Sequence, residues 1–196
     1  FTAVKKRWLF QFDFAFSVDI EPGRCQLTYF IKHELTFIVG NFHIPPHWSV
    51  SERRRIIDKA RKLIPPNDKC FFLAFGDFNF THEDDCGPKA GVFKNSTSRS
   101  STRIQRYWHK VFPELSEFYQ DQPTCKSGDV YSRLDRGYGN LPLALLLDLK
   151  PTTQIGWTHA HTNGIFSDHV PLAVSFGAKD GERTAQLPRW VSSSPL

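Results

Sequence analysis

Apolar and polar residues along this chain fall into two alternating periods. Cys25, Leu27, Tyr29 and Ile31 alternate with more polar neighbours, the period of two that a strand produces. After a polar break at Lys32-His33-Glu34, the run Leu35-Thr36-Phe37-Ile38-Val39 is nearly all apolar, as in a strand buried on both faces. Residues 25–44 therefore read as two strands, closed by Pro45-Pro46. The period then changes to that of a helix over 51–64. Ser49 and Glu52 have capping-box spacing, and Ile56, Ile57, Ala60, Leu63 and Ile64 share one face. Arg53, Arg54, Lys59 and Arg61 lie largely elsewhere, and Pro65-Pro66 stops the helix. A solvated face is the more common meaning of such a basic set, phosphate contact the less common one.

Cys70-Phe71-Phe72-Leu73-Ala74-Phe75 reads as another buried strand ending at Gly76, and 81–100 as a surface loop rich in charge, Gly and Ser. A second amphipathic helix is predicted from Ser101 to Phe112, with Ile104, Trp108, Val111 and Phe112 inward. Short strands are predicted near 130–138 and 170–176, with a Leu-rich linking segment at 141–149 between them. From Gly177 the composition turns polar, so 178–196 is predicted to be a frayed tail after a domain spanning 1–177. Strands alternating with helices predict a layered α/β sandwich.

With 196 residues the chain has the length of one domain, and 18 Phe and 5 Trp predict an aromatic core. It opens on Phe1 and contains no Met, so it is expected to be a segment of a longer protein. No apolar run approaches the roughly 18 residues of a membrane span. Residues 1–16 alternate charge and aromatics, unlike a signal peptide. The net charge of +5 fits a polyanionic partner, although many basic proteins bind no nucleic acid. Cys25, Cys70, Cys86 and Cys125 have no CxxC spacing, which argues against a zinc cluster. Four scattered cysteines predict free thiols and an intracellular compartment, nuclear or cytoplasmic.

Polar residues follow apolar strands directly at three places. In Gly76-Asp77-Phe78-Asn79, a carboxylate and an amide two positions apart on extended backbone point to the same side. They can jointly hold a phosphate, a water or a metal; a strand-end turn is the bland alternative. In Ser167-Asp168-His169, ahead of Val170-Pro171-Leu172-Ala173-Val174, adjacent residues on a strand edge point to opposite sides. One can bind a cation while the other moves a proton. Ser132-Arg133-Leu134-Asp135-Arg136 alone reads best as a surface strand with paired charges.

Taken in order, Gly-Asp-Phe-Asn, Ser-Arg-Leu-Asp-Arg and Ser-Asp-His-Val-Pro resemble the signature series of the endonuclease/exonuclease/phosphatase family. Phe37-Ile38-Val39-Gly40-Asn41-Phe42-His43 is similar to the strand that ends in a His in its deoxyribonuclease and sphingomyelinase branches. The resemblance runs from about Gly23 to Phe176. It implies a four-layer α/β sandwich with two packed mixed sheets, and hydrolysis of a phosphodiester or phosphomonoester with Mg²⁺ or Mn²⁺. It further implies that Asp77 handles the attacking water and Asn79 holds the phosphate. Asp168 would sit near the metal, with His169 at the phosphate or in proton transfer. Asp135 would fix the His169 tautomer, and His43 would be a second acid/base or phosphate-binding group.

The family's early Asn strand and metal-binding Glu strand have no match here, so the N-terminal strands of the domain are expected to lie upstream of Phe1. The expected function is metal-dependent phosphodiester hydrolysis, with nucleic acid favoured over phosphorylated lipid or inositol and a retroelement-type endonuclease as one form that fits. The chain alone is expected to be weak or inactive. A degenerate domain kept as a binding or scaffold module is the alternative.

Overall fold

A computed structural model describes residues 3–65, 69–82, 99–127, 130–156 and 167–177. Most of the expected loop at 81–100, Cys86 and the expected tail at 178–196 lie outside them. The strands are β1 (Phe14–Glu21), β2 (Cys25–Lys32), β3 (Leu35–His43), β4 (Cys70–Asp77), β5 (Ser116–Glu117), β6 (Cys125–Ser127), β7 (Val130–Ser132), β8 (Asp135–Gly139), β9 (Thr152–Ile155) and β10 (Leu172–Ser175). The helices are α1 (Lys6–Leu9), α2 (Val50–Leu63), α3 (Arg99–Val111) and α4 (Leu143–Leu149).

A mixed six-stranded sheet runs in the order β1-β2-β3-β4-β8-β5, beside two-stranded sheets β10-β9 and β6-β7. The fold is α/β, with mixed and local strand pairing as the sequence implies. Lys32 pairs with Leu35, so His33-Glu34 is a two-residue turn, and His33 takes φ 52° to make it. β3 and β4 then run parallel with α2 as the crossover between them.

The expected capping box closes α2. Ser49 accepts from the Glu52 amide at 3.2 Å, and the Ser49 amide donates to the Glu52 carboxylate at 2.8 Å. Ile56, Ile57, Ala60 and Ile64 are buried as predicted, but two residues exchange places. Leu63 is exposed, and Arg53 is buried. The Arg53 guanidinium donates to the carbonyls of Trp48 and Pro46, which satisfies its charge where the chain turns into the helix. Ile104, Trp108 and Phe112 of the α3 segment face the same core. Trp108 meets Phe78, Phe42, Phe112 and Tyr138 at centroid distances of 4.8, 5.4, 4.7 and 5.5 Å, the aromatic core that the Phe count predicts.

Several readings change, and β5, β6 and β9 form where the sequence predicts no strand. The Leu-rich 141–149 segment holds helix α4 rather than a plain link, its Lys150 turning out at φ 41°. A strand not anticipated, β1, precedes β2, because Phe14, Phe16 and Val18 alternate as a strand requires while Phe14 and Phe16 stay exposed. The C-terminal strand begins at Leu172 instead of Val170, after a bend at Asp168 and a bridge at His169. No helix among the described residues is long and apolar enough to cross a membrane.

Candidate active site

The sheet register brings three of the polar residues into a row. His43 is the register partner of Asp77 across the parallel β3–β4 pair, and Asp77 is the partner of Asp135 across the antiparallel β4–β8 pair. Register partners present side chains to the same face of a sheet. Gly76 makes the row possible. It holds φ +139°, and a Cβ there would sit 1.9 Å from the Phe42 carbonyl oxygen. Only glycine allows β4 to press this closely on β3 just before Asp77.

Beyond Asp77 the chain is pinned by Phe78, wholly buried, whose amide donates to the Leu134 carbonyl at 3.1 Å. Asn79 takes φ 48° and folds back. Its backbone amide donates to Asp77 Oδ1 at 3.0 Å and its Nδ2 to Oδ2 at 2.6 Å. Burial pushes the Asp77 carboxyl pKa up, the Asp135 charge adds to the rise, and His169, the Asn79 amide and His43 oppose it.

His169 approaches from outside the row. Its Nδ1 lies 2.7 Å from Asp135 Oδ2 and its Nε2 3.9 Å from Asp77 Oδ2. The Asp135 bond, helped by Cys125, pushes the His169 pKa up to about 11 against a smaller opposing effect of burial. The ring is therefore an imidazolium at neutral pH, donating Nδ1–H to Asp135. His43 is held differently: Arg24 Nη1 donates to His43 Nδ1 at 2.9 Å. Since a guanidinium has no acceptor, the His43 proton sits on Nε2, which lies 4.0 Å from Asp77 Oδ2. His43 also lines a pocket of about 240 Å³ with Arg24, Gln26, Asn41 and Asp19.

Matching protein-family descriptions finds none for this sequence, and a search of curated proteins finds no relative. Solved structures do match. The endonuclease domain of TRAS1, a telomere-specific non-LTR retrotransposon, superposes with a TM-score of 0.55 at 13% identity, covering 83% of this chain and 67% of that one. An endonuclease/exonuclease/phosphatase family protein from Leptotrichia buccalis gives 0.52 at 13% identity, over 85% and 62%. The inositol polyphosphate 5-phosphatase domain of SPsynaptojanin, solved with inositol (1,4)-bisphosphate and calcium ion, gives 0.51 at 16% identity, over 83% and 53%. The chain has the endonuclease/exonuclease/phosphatase fold. It spans 67%, 62% and 53% of the lengths of these three structures.

Within this fold His43, Asp77, Asn79, Asp135 and His169 form one connected group, through the contacts given above. Asp168 is exposed at its margin. Alternation on a strand would send Asp168 and His169 to opposite sides. Instead, ligand atoms of Cys125, Asp168 and His169 lie within 4.8 Å of one another, a group able to hold a metal ion. The segment bends at Asp168 and meets β6 through a single bridge, Cys125 to His169, so the two-residue period does not apply.

The two arginines flanking Asp135 are buried and serve the framework. Arg133 and Arg136 both donate to Glu117 Oε1, and Arg136 Nη2 reaches the Arg133 carbonyl at 2.9 Å. Their charges are paired, as the bland reading of that motif has it, but inside the protein rather than on its surface.

Two contributors to the site carry no sequence motif. Arg24 follows the Gly23 turn and reaches a ring 19 positions away. Thr124 is fully buried. Its Oγ1 accepts from the Leu134 and Asp135 amides at 3.0 and 2.9 Å, and its carbonyl accepts from Val170 N at 2.8 Å. It thus joins the Asp135 and His169 segments.

Proposed function

We propose that this chain belongs to a protein that hydrolyses phosphodiester bonds, with nucleic acid as the preferred substrate, and that the site of reaction is the His43–Asp77–Asn79–Asp135–His169 group. The carrying observation is that Asp77 Oδ2 and His169 Nε2 stand 3.9 Å apart, with the His169 ring held by Asp135 at 2.7 Å. Two titratable groups with opposed protonation across one gap are the pattern of acid/base chemistry.

In this reading a water held by Asp77 loses its proton to that carboxylate as its oxygen attacks phosphorus. The bond from phosphorus to the leaving oxygen breaks, and that oxygen takes the proton from His169. The Asn79 amide holds a phosphate oxygen, and the His43 Nε2–H, directed by Arg24, is a second donor to the phosphate. Asp135 keeps the His169 ring aimed and charged.

A divalent cation such as Mg²⁺ or Mn²⁺ would neutralise phosphate oxygens, and motif order offers it Asp168. The donors around Asp168 fit such an ion poorly. Hard cations take about six oxygens, whereas Asp168 stands with a thiol and an imidazole. No step above runs through a metal.

The +5 net charge fits polyanionic substrates, nucleic acid among them. A binding module without turnover is the second reading, supported by the poor donor set at Asp168.

The test is cleavage of supercoiled plasmid in Mg²⁺ or Mn²⁺, with an inositol polyphosphate as comparison substrate. The chain alone, the chain with additional upstream sequence, and its His169→Ala and Asp77→Asn variants are compared. Nicking by the extended protein that both substitutions abolish is the expected result. Phosphate release from the inositol compound alone would replace the substrate, and inactivity of every form would favour the binding module.

A further inference from the structure

The poor fit of hard cations at Asp168 points to a different ligand for the same three donors. We propose that Cys125, Asp168 and His169 bind a thiophilic divalent cation of the Zn²⁺ class, and that its occupancy takes His169 out of the reaction. The binding half stands on geometry alone; the inhibitory half rests on the function proposed above.

The three ligand types are a thiol, a carboxylate and an imidazole, with ligand atoms mutually within 4.8 Å. Around a tetrahedral zinc, bonds of about 2.0–2.3 Å put ligand atoms roughly 3.4–3.8 Å apart. The remaining gap is about 1 Å by that geometry, within reach of one side-chain adjustment. The exposed Asp168 carboxylate is free to make it, while its backbone is fixed, since the Asp168 carbonyl accepts from Lys126 N at 2.7 Å. Cys125 and His169 are already held together by their backbone bridge. The buried Cys125 supplies a ligand that no hard ion prefers, and three protein ligands leave the fourth position for water.

Coordination displaces the thiol and imidazole protons to solvent. Both ring nitrogens have a task that a metal would end. At Nδ1 it would displace Asp135, 2.7 Å away, and at Nε2 it would take the nitrogen that faces Asp77. Either geometry occupies a ring nitrogen that the proposed reaction uses. The site would thus report free Zn²⁺ as a loss of phosphodiesterase activity.

Binding is measured first without any substrate. Co²⁺ is titrated into the reduced protein and read by thiolate charge-transfer absorption, and Zn²⁺ is titrated against a chromophoric chelator. One equivalent should bind with a thiolate band. Cys125→Ser should abolish the band and weaken Zn²⁺ by more than about 100-fold, beyond the ~10–100-fold loss of an outer-shell partner, because it removes a ligand itself. Asp168→Asn, on an exposed side chain, should weaken binding by more than about 10-fold for the same reason without threatening the fold. Cys86→Ser should leave binding unchanged. Absence of a thiolate band, or binding that survives both Cys125→Ser and Asp168→Asn, overturns the proposal. If binding behaves as stated but Zn²⁺ spares plasmid cleavage in a form that cleaves, the site stands and the inhibition falls. If no form cleaves plasmid, the phosphodiesterase reading fails while the binding result remains decisive.

Discussion

Asp77 and Asp135 are direct partners across the β4–β8 ladder, two carboxylates on one face of adjacent strands. Each is held by a different neighbour: Asp77 by the amides of Asn79, Asp135 by the His169 ring. The His169 ring lies nearer Asp135, at 2.7 Å, than Asp77, at 3.9 Å. Burial raises the Asp77 pKa most and the Asp135 charge adds to it, against the weaker pull of His169 and His43.

Asp77→Asn should therefore abolish hydrolysis and raise stability at neutral pH. Because the folded pKa of Asp77 is raised, its ionisation works against folding as pH rises past the ordinary carboxylate value. An amide removes that penalty; its oxygen still accepts from the Asn79 backbone amide, while its nitrogen gives up the bond from Asn79 Nδ2. Thermal melts should show the variant about 2–4 °C higher for each 1 kcal/mol relieved, with the difference vanishing in acid. A variant that melts lower at pH 7 than the parent would contradict the assignment.

Asp135→Asn should bring the His169 titration down from about 11 towards the ordinary value near 6.5. The sign for stability follows. A group whose folded pKa is raised stabilises fully below its unfolded pKa and loses that contribution as pH climbs through the folded one. The parent should thus lose stability between about pH 6.5 and 11 more steeply than the variant. Imidazole NMR titration and alkaline melts check the two halves separately.

Arg24→Ala should free the His43 tautomer, since Nδ1 would lose its only possible reading as an acceptor from Arg24. Activity should fall by about 10-fold, roughly one hydrogen bond's worth of positioning, with the melt unchanged because Arg24 is exposed. Long-range ¹⁵N shifts of the His43 ring should move from one tautomer to a mixture.

Gly76→Ala should be the most damaging small substitution in the sheet. The added Cβ meets the Phe42 carbonyl oxygen at 1.9 Å, and φ +139° is closed to alanine. A loss of more than about 3 kcal/mol, or failure to fold, is expected in denaturant titration.

Much of the site was legible because strands end where polarity begins. His43 and Asp77 each close an apolar run, and the register then sets them side by side. Asp135 was legible only through motif order, since the charges around it read as a surface strand. Asp168 and His169 were misplaced relative to each other, because a bend and one bridge replace the strand that alternation assumes. Thr124 and Arg24 act through contacts 11 and 19 residues away, which no local period encodes. The missed strand β1 did show its period in Phe14, Phe16 and Val18; charged neighbours and exposed rings obscured it.

The row of His43, Asp77 and Asp135 is welded into one sheet, but His169 hangs on a short seam. That seam consists of the Cys125–His169 bridge, with Lys126 N on the Asp168 carbonyl and Val170 N on the Thr124 carbonyl. Parting those two hydrogen bonds would leave the imidazole tied to the sheet through Asp135, while the sheet stays intact. The lifetime of the proposed site should then follow a small, sub-global opening rather than unfolding of the whole. Hydrogen exchange at Lys126 and Val170 should outpace exchange at the β3–β4 amides, and its rate would be the clock on which the site assembles and comes apart.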